Sequence, residues 1–208
     1  MIRIVHVISG LDTGGAEVML AKLVGRMDRD RFSSSVISLT DRGQLSEQIE
    51  SSGVAVHTLG MKRGRPDILA LPRLIRLFKT LNPTIVQSWL YHADLLSTLA
   101  VKFSGSPILV WNVRCSDMDL KRYSPLTRWV QRVLAHWSAT PAAVIVNSEA
   151  GKQQHEGWGI VLGVGMSSLM GSILNGSVLI PAYDCLFVRS GRYHQVRLSW
   201  RSWRVSIQ

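Results

Sequence analysis

The chain has 208 residues, 46% of them hydrophobic, with a formal net charge of +10 and only two cysteines. That content is enough to bury one core with something extra, while the dispersed basic charge forms no dense stripe and accompanies no nucleic-acid motif, which excludes nucleic acid as the expected partner. Cys115 and Cys185 lack metal-ligand spacing and exclude a disulfide scaffold, and the first residues enter a strand pattern without a signal-peptide layout, so a cytoplasmic protein is expected.

Strand and helix signals alternate through the first 156 residues. Arg3 to Ser9 is a β-branched run ending at Gly10, and Ala16 to Met27 follows with Val18, Met19, Leu23 and Met27 at helical period. Further β-rich runs occupy Ser34 to Leu39, Val54 to Leu59, Thr84 to Ser88, Ile108 to Val113 and Ala142 to Val146. Helical segments fall at 44–52, 67–81, 92–104, 124–138 and 149–156. Near-continuous apolar strands separated by helices predict an α/β fold, a single Rossmann-like doubly wound parallel sheet, with ligands beyond the carboxyl ends of the strands.

A break in composition falls at Gly157. Residues 1–156 carry 19 Lys/Arg against 13 Asp/Glu, whereas residues 157–208 carry five Arg, one Asp (Asp184), no Lys and no Glu. The net charge of +10 therefore divides into +6 before the break and +4 after it.

The first strand-to-helix loop, Ser9 to Glu17, reads Ser-Gly-Leu-Asp-Thr-Gly-Gly-Ala-Glu. Its glycines permit a sharp turn and close ligand approach, and the helix that follows offers unpaired N–H groups to an anion. Ala16 and Glu17 stand where a Walker A loop needs Lys and Ser/Thr, and the G-x-G-x-x-G dinucleotide spacing is missing. On these residues alone a tight turn, with Glu17 favouring the helix dipole, and a ligand contact remain equal alternatives.

The stretches Ile4 to Glu17 (IVHVISGLDTGGAE), Ile85 to Ala100 (IVQSWLYHADLLSTLA), Ile108 to Asp119 (ILVWNVRCSDMD) and Ala143 to Glu156 (AVIVNSEAGKQQHE) together resemble the N-terminal acceptor domain of family 4 type glycosyltransferases. The resemblance covers residues 1–156. It implies half of the two-domain GT-B arrangement and transfer of a sugar from a nucleotide-sugar donor to a glycan or lipid-linked acceptor. It implies no metal and no cofactor beyond that donor substrate.

Site roles follow from the same resemblance. His92, opening the helix after the strand that ends near Ser88, is expected against the donor sugar as the catalytic contact. Gly14, Gly15 and Glu17 of the first loop, Asn112 and Arg114 at the end of the next strand, and Asn147 and Ser148 at the end of the last are the expected substrate-binding residues. Arg114 suits a diphosphate or an acidic acceptor, with a surface salt bridge as the alternative. Asn147 and Ser148 equally suit capping of the following helix. Trp89 and Tyr91 either stack on a sugar ring or pack. Segment 121–137 sets Lys121, Arg122, Arg128 and Arg132 against Trp129, Val130, Val133, Leu134 and Trp137, a pattern for a core helix or for peripheral contact with the inner face of a membrane.

Beyond Glu156 the resemblance stops where the family continues into an Ile-Pro-Asn-Gly turn and a donor-binding domain. Carrying each third codon base of Gly159 to Ile180 into the next codon allows a message containing that turn, and the fixed third bases of Met166 and Met170 supply an apolar strand residue and the glycine. Residues 157–208 are therefore expected to be a frameshifted, poorly structured, non-native-looking tail, and the chain a truncated transferase inactive alone. The alternative is a membrane-tethered binding module anchored by the uncharged stretch 157–183, against which its many Gly and Ser, Asn175 and Pro181 weigh.

Overall fold

The computed structural model describes residues 1–113, 124–146, 149–160, 187–189 and 192–194. Strands β1 (Ile2–Ile8), β2 (Phe32–Ser38), β3 (Ala55–Thr58), β4 (Ile85–Trp89), β5 (Ile108–Val113) and β6 (Ala143–Val146) form one parallel sheet in the order β3-β2-β1-β4-β5-β6. Helices α1 (Gly15–Arg26), α2 (Ser46–Ser51), α3 (Ala70–Leu81), α4 (Tyr91–Val101) and α5 (Pro125–His136) connect successive strands, and α6 (Glu149–Gly157) follows β6. This is the doubly wound α/β fold expected from the alternation of apolar runs and helical periods. Contacts divide the chain into two units, Met1–Val110 and Trp111–Gln208.

In the first unit β1 is central and runs parallel to both β2 and β4. Ile4 through Ile8 are all buried, without the in-out alternation of a sheet that faces water, because helices cover both faces. On one face Leu20, Ala21 and Val24 of α1 and Ile49 of α2 pack with Ile8, Leu11, Val36, Val54 and Trp89. Each large aliphatic side chain so buried contributes about 1.5–3 kcal/mol. α4 packs against β1 and β4 and also against α3, which buries Leu74 and Phe78 at helical spacing.

Two helix boundaries differ from the sequence reading by three residues, both for local backbone reasons. α3 starts at Ala70 rather than at 67, because Asp67 Oδ1 accepts the Leu69 amide at 2.9 Å and the Asp67 carbonyl accepts that of Ala70 at 3.2 Å, making a turn before the helix. α4 ends at Val101 rather than 104, where Gly105 (φ 87°) and Ser106 (φ 53°) take the left-handed region.

In the second unit α5 starts on Ser124, whose Oγ accepts the Thr127 amide at 3.2 Å, with Pro125 at the first helical position. It buries Val130, Gln131 and Leu134 and leaves Trp129 56% exposed, so the apolar face expected over 121–137 is only partly a core face. Lys121 and Arg122 lie outside the described residues.

α6 ends in a left-handed glycine cap. Gly159 (φ 79°) donates its amide to Glu156 O at 2.9 Å and Ile160 donates to His155 O at 3.0 Å, the paired bonds of a Schellman motif, with Ile160 buried as its apolar contact. His155, also buried, sets its Nδ1 2.5 Å from Gly151 O and its ring edge-on to Trp158 at 5.2 Å. Ordered packing thus runs four residues past the expected boundary at 156. Further on, β7 (Phe187–Arg189) and β8 (Arg192–His194) pair antiparallel, a ribbon within the stretch expected to be poorly structured. No helix among the described residues is long and apolar enough to cross a membrane, and most of the uncharged stretch 157–183 lies outside them.

Candidate active site

The strand order reverses between β1 and β4: the chain leaves β1 toward β2 on one side and leaves β4 toward β5 on the other. At such a switch point the two connections diverge and open a crevice beyond the carboxyl ends of the strands. Ile8 stands opposite Trp89 in the register, so the glycine loop after β1 and the Leu90 turn after β4 emerge side by side. Gly14, Gly15, Glu17 and His92 are thereby brought to one edge.

The glycine loop is held from the neighbouring loops. Leu39 donates its amide to Ile8 O at 2.9 Å, Met61 to Leu39 O at 2.9 Å and Leu45 to Leu11 O at 3.0 Å. Thr13 Oγ1 donates to Gln44 Oε1, and Arg63 pairs with Asp12. Gly43 approaches Leu11 so closely that any side chain there would overlap the Leu11 carbonyl.

The three expected loop residues differ in what they do. Gly14 is the residue before α1 and makes no side-chain cap. Its Cα faces the carboxylate of Glu17, which folds back over the amide end of the helix, where a first-turn acid is favoured by the helix dipole. Gly15 faces open space: a methyl group there would meet nothing within 4 Å.

His92 occupies the first turn of α4 and is half-buried; burial lowers its pKa below 6.5, so the ring is neutral at pH 7 and carries one donor and one acceptor nitrogen. Leu90 before it has φ 72° and ψ 153°, a region that side chains other than glycine rarely adopt. Trp89 and Tyr91 are 1% and 4% exposed, and Trp89 belongs to the core on the α1 face, which decides for packing over stacking on a sugar. Asn112, in β5, is also buried and has a partner. Arg114, Asn147 and Ser148 lie outside the described residues. Among the described residues no group of three or more His, Cys, Asp or Glu is placed to hold a metal ion.

Sequence reasoning passed over Ser88, Asp94 and Gly43. Asp94 is fully buried, and Ser88 Oγ donates to its Oδ1 at 2.6 Å. Burial pushes the Asp94 carboxyl well above the usual carboxylate range, an effect the Ser88 bond partly offsets. A signal existed: Asp94 is the sole acid in the Leu- and Ala-rich helix segment HADLLSTLA. Gly43 carried none, because its requirement comes from a loop 32 positions away in sequence.

Residues 13–161 match the sequence profile of Glycosyltransferase Family 4. The chain belongs to glycosyltransferase family 4. It is 28% identical over 135 residues to a capsular polysaccharide biosynthesis glycosyltransferase, CapH, of Staphylococcus aureus, covering 64% of this chain and 37% of that protein. Its fold is similar to that of Anabaena Alr3699/HepE, solved in complex with UDP and glucose, with a TM-score of 0.58 and 16% identity over 76% of this chain and 41% of the other. It is also similar to apo WaaB, a lipopolysaccharide outer core galactosyltransferase, with a TM-score of 0.53 and 12% identity over 77% and 43%. The chain thus spans about two fifths of the length of each of these proteins. The family 4 match begins inside the glycine loop and ends just past the α6 cap, so it takes in both walls of the switch-point crevice.

Proposed function

We propose that this chain forms the acceptor-side wall of a sugar-transfer site, using a nucleotide-sugar donor and a glycan or lipid-linked acceptor of the kind met in polysaccharide biosynthesis. One observation carries the reading: in a family 4 chain, His92 and the open first turn of α1 at Gly15 flank the same switch-point crevice. The neutral His92 ring hydrogen-bonds a hydroxyl of the donor sugar, and the α1 amides at Gly14 and Gly15 receive phosphate or acceptor oxygens. Glu17 shifts aside when an anion takes that place. By the family resemblance alone, Arg114 is assigned to a diphosphate or an acidic acceptor, and Asn112, Asn147 and Ser148 to substrate binding. No metal or further cofactor enters the reaction.

The second wall of the cleft is absent from the sequence that follows, on this reading, because the frame shifts near Trp158–Gly159. Support comes from the loss of Lys and Glu after Gly157 and from the displaced codon reading of Gly159 to Ile180. Positioning supplies a large part of catalytic power, so the chain alone turns over little or no substrate. Sequencing the gene through codons 150–180 tests the shift; an uninterrupted frame with no displaced second domain refutes it.

Calorimetric titration with nucleotide sugars tests the site. The chain alone is expected to show no micromolar binding, and the same chain joined to a donor domain is expected to bind and to lose sugar transfer with His92→Ala. Micromolar binding by the chain alone overturns the half-site reading, and full transfer by the His92→Ala form overturns the role of His92.

A further inference from the structure

Between β4 and α4 the chain makes a turn that its own sequence disfavours. Leu90, at φ 72° and ψ 153°, is strained by its Cβ where glycine would not be. A non-glycine residue persists there only if its surroundings over-determine it. Here they do. Trp89 and Tyr91 are buried on either side, the Asp94 amide donates to Leu90 O at 3.0 Å, and Ser88 Oγ donates to Asp94 Oδ1 at 2.6 Å. Ser88 is itself set by the sheet, opposite Val7 of β1, with its Oγ 3.4 Å from Val110 O of β5.

We infer that Ser88 and Asp94 are positioning residues for His92: their buried hydrogen bond ties the first turn of α4 to the end of β4 and fixes the imidazole at the carboxyl edge of the sheet. The inference rests on the proposed role of His92 and adds the device that aims it. His92 lies inside the closed segment Ser88 to Asp94, two residues from the strained Leu90 and two from the latch. Release of the latch lets the turn relax, and the imidazole loses its defined burial and direction.

The latch works by shape and acceptor position rather than by charge. A first-turn acid normally acts as an anion on the helix dipole, at the surface. Asp94 is fully buried, and a neutral carboxyl is the form its surroundings favour. Its Oδ1 accepts from Ser88 in that form, and an asparagine oxygen accepts equally well. The conservative change is therefore tolerated, whereas loss of either partner is not.

The test follows the imidazole signals of His92 by NMR in the full chain, without any sugar, across pH 4 to 8. In the unsubstituted chain His92 titrates below 6.5, as burial dictates. Ser88→Ala and Asp94→Ala are expected to move that titration up toward 6.5 and to broaden or shift the ring signals, whereas Asp94→Asn keeps the original values. Should Asp94→Ala fail to fold, Ser88→Ala, which removes one hydroxyl, carries the test. A folded Ser88→Ala chain with lowered melting temperature but unchanged His92 titration and signals shows a structural bond only and overturns the inference. So does an Asp94→Asn chain whose His92 behaves as in the alanine form. Because no substrate is present, these outcomes are separate from the sugar-transfer test of His92 itself.

Discussion

Gly43 lies against Leu11: a methyl group on its Cα would overlap the Leu11 carbonyl and come within 2.6 Å of the Asp12 amide nitrogen. The obstacle is backbone, which cannot swing away as a side-chain end can. Gly43→Ala is therefore expected to displace the glycine loop and destabilise the chain by about 1–3 kcal/mol. Gly25, exposed near the end of α1, offers the contrast, since a methyl there meets only Ser52 at 3.8 Å. Gly25→Ala is expected to stabilise by about 0.5–1 kcal/mol. Urea unfolding of both variants checks the opposite signs.

Gly15→Ala separates structure from function at one atom. The methyl group meets nothing in the protein, and alanine is the better helix former, so stability is expected to stay level or rise by up to about 1 kcal/mol. Nucleotide-sugar binding by the chain joined to a donor domain is expected to weaken at the same time. A variant that is as stable and binds as tightly shows that nothing approaches this turn.

Gly159→Ala is expected to cost about 1–2 kcal/mol, because φ 79° is strained for any residue with a Cβ although the space around it is open. The Schellman cap also predicts that a chain ending at Ile160 keeps α6 folded, while one ending at Gly157 loses the cap and lowers the thermal midpoint. Circular dichroism melts of the two chains decide whether the α6 cap carries stability.

His6 and Asp94 give the stability a pH dependence of opposite signs. Burial lowers the His6 pKa to about 4 from 6.5, with Gln87 on the paired strand opposing slightly. The folded value lies below the unfolded one, so the contribution is complete above pH 6.5 and is lost as pH falls toward 4, a loss of about 3 kcal/mol. His6→Leu is expected to flatten that window in urea midpoints measured at pH 7, 5.5 and 4.5.

Asp94 runs the other way, because its folded pKa is raised. Its contribution is complete below 3.8 and declines as pH rises from there toward the folded value. Asp94→Asn keeps the acceptor for Ser88 without the ionisation, so it is expected to match the parent near pH 3.5 and to be more stable at pH 7. A less stable Asn variant at pH 7 would mean that the carboxyl is ionised and compensated in the fold.

Most strands were legible because they are short apolar runs with their own boundaries, and β1, buried from Ile4 to Ile8, showed this as a run of apolar and β-branched residues around His6. The turn before α1 and the place of His92 at the start of α4 were legible from local pattern. The reading of Trp89 and Tyr91 was not, since an aromatic residue at a sheet edge looks the same in sequence whether it faces a ligand or the core; only the packing of Trp89 with Ile8 and Leu20 separates the two.

By itself the sequence determined the alternation of strands and helices, the family, and the change of composition at Gly157, because each of these is carried by neighbouring residues or by periods within one element. The tertiary structure alone decided which side chains act together. Ser88 meets Asp94 because a strained Leu90 folds α4 back on β4, Gly43 is required because two loops from different strands touch, and the fold continues to Ile160 because Gly159 can turn left-handed. Each depends on close approach between backbone segments whose directions are set only once the sheet and its helices have packed.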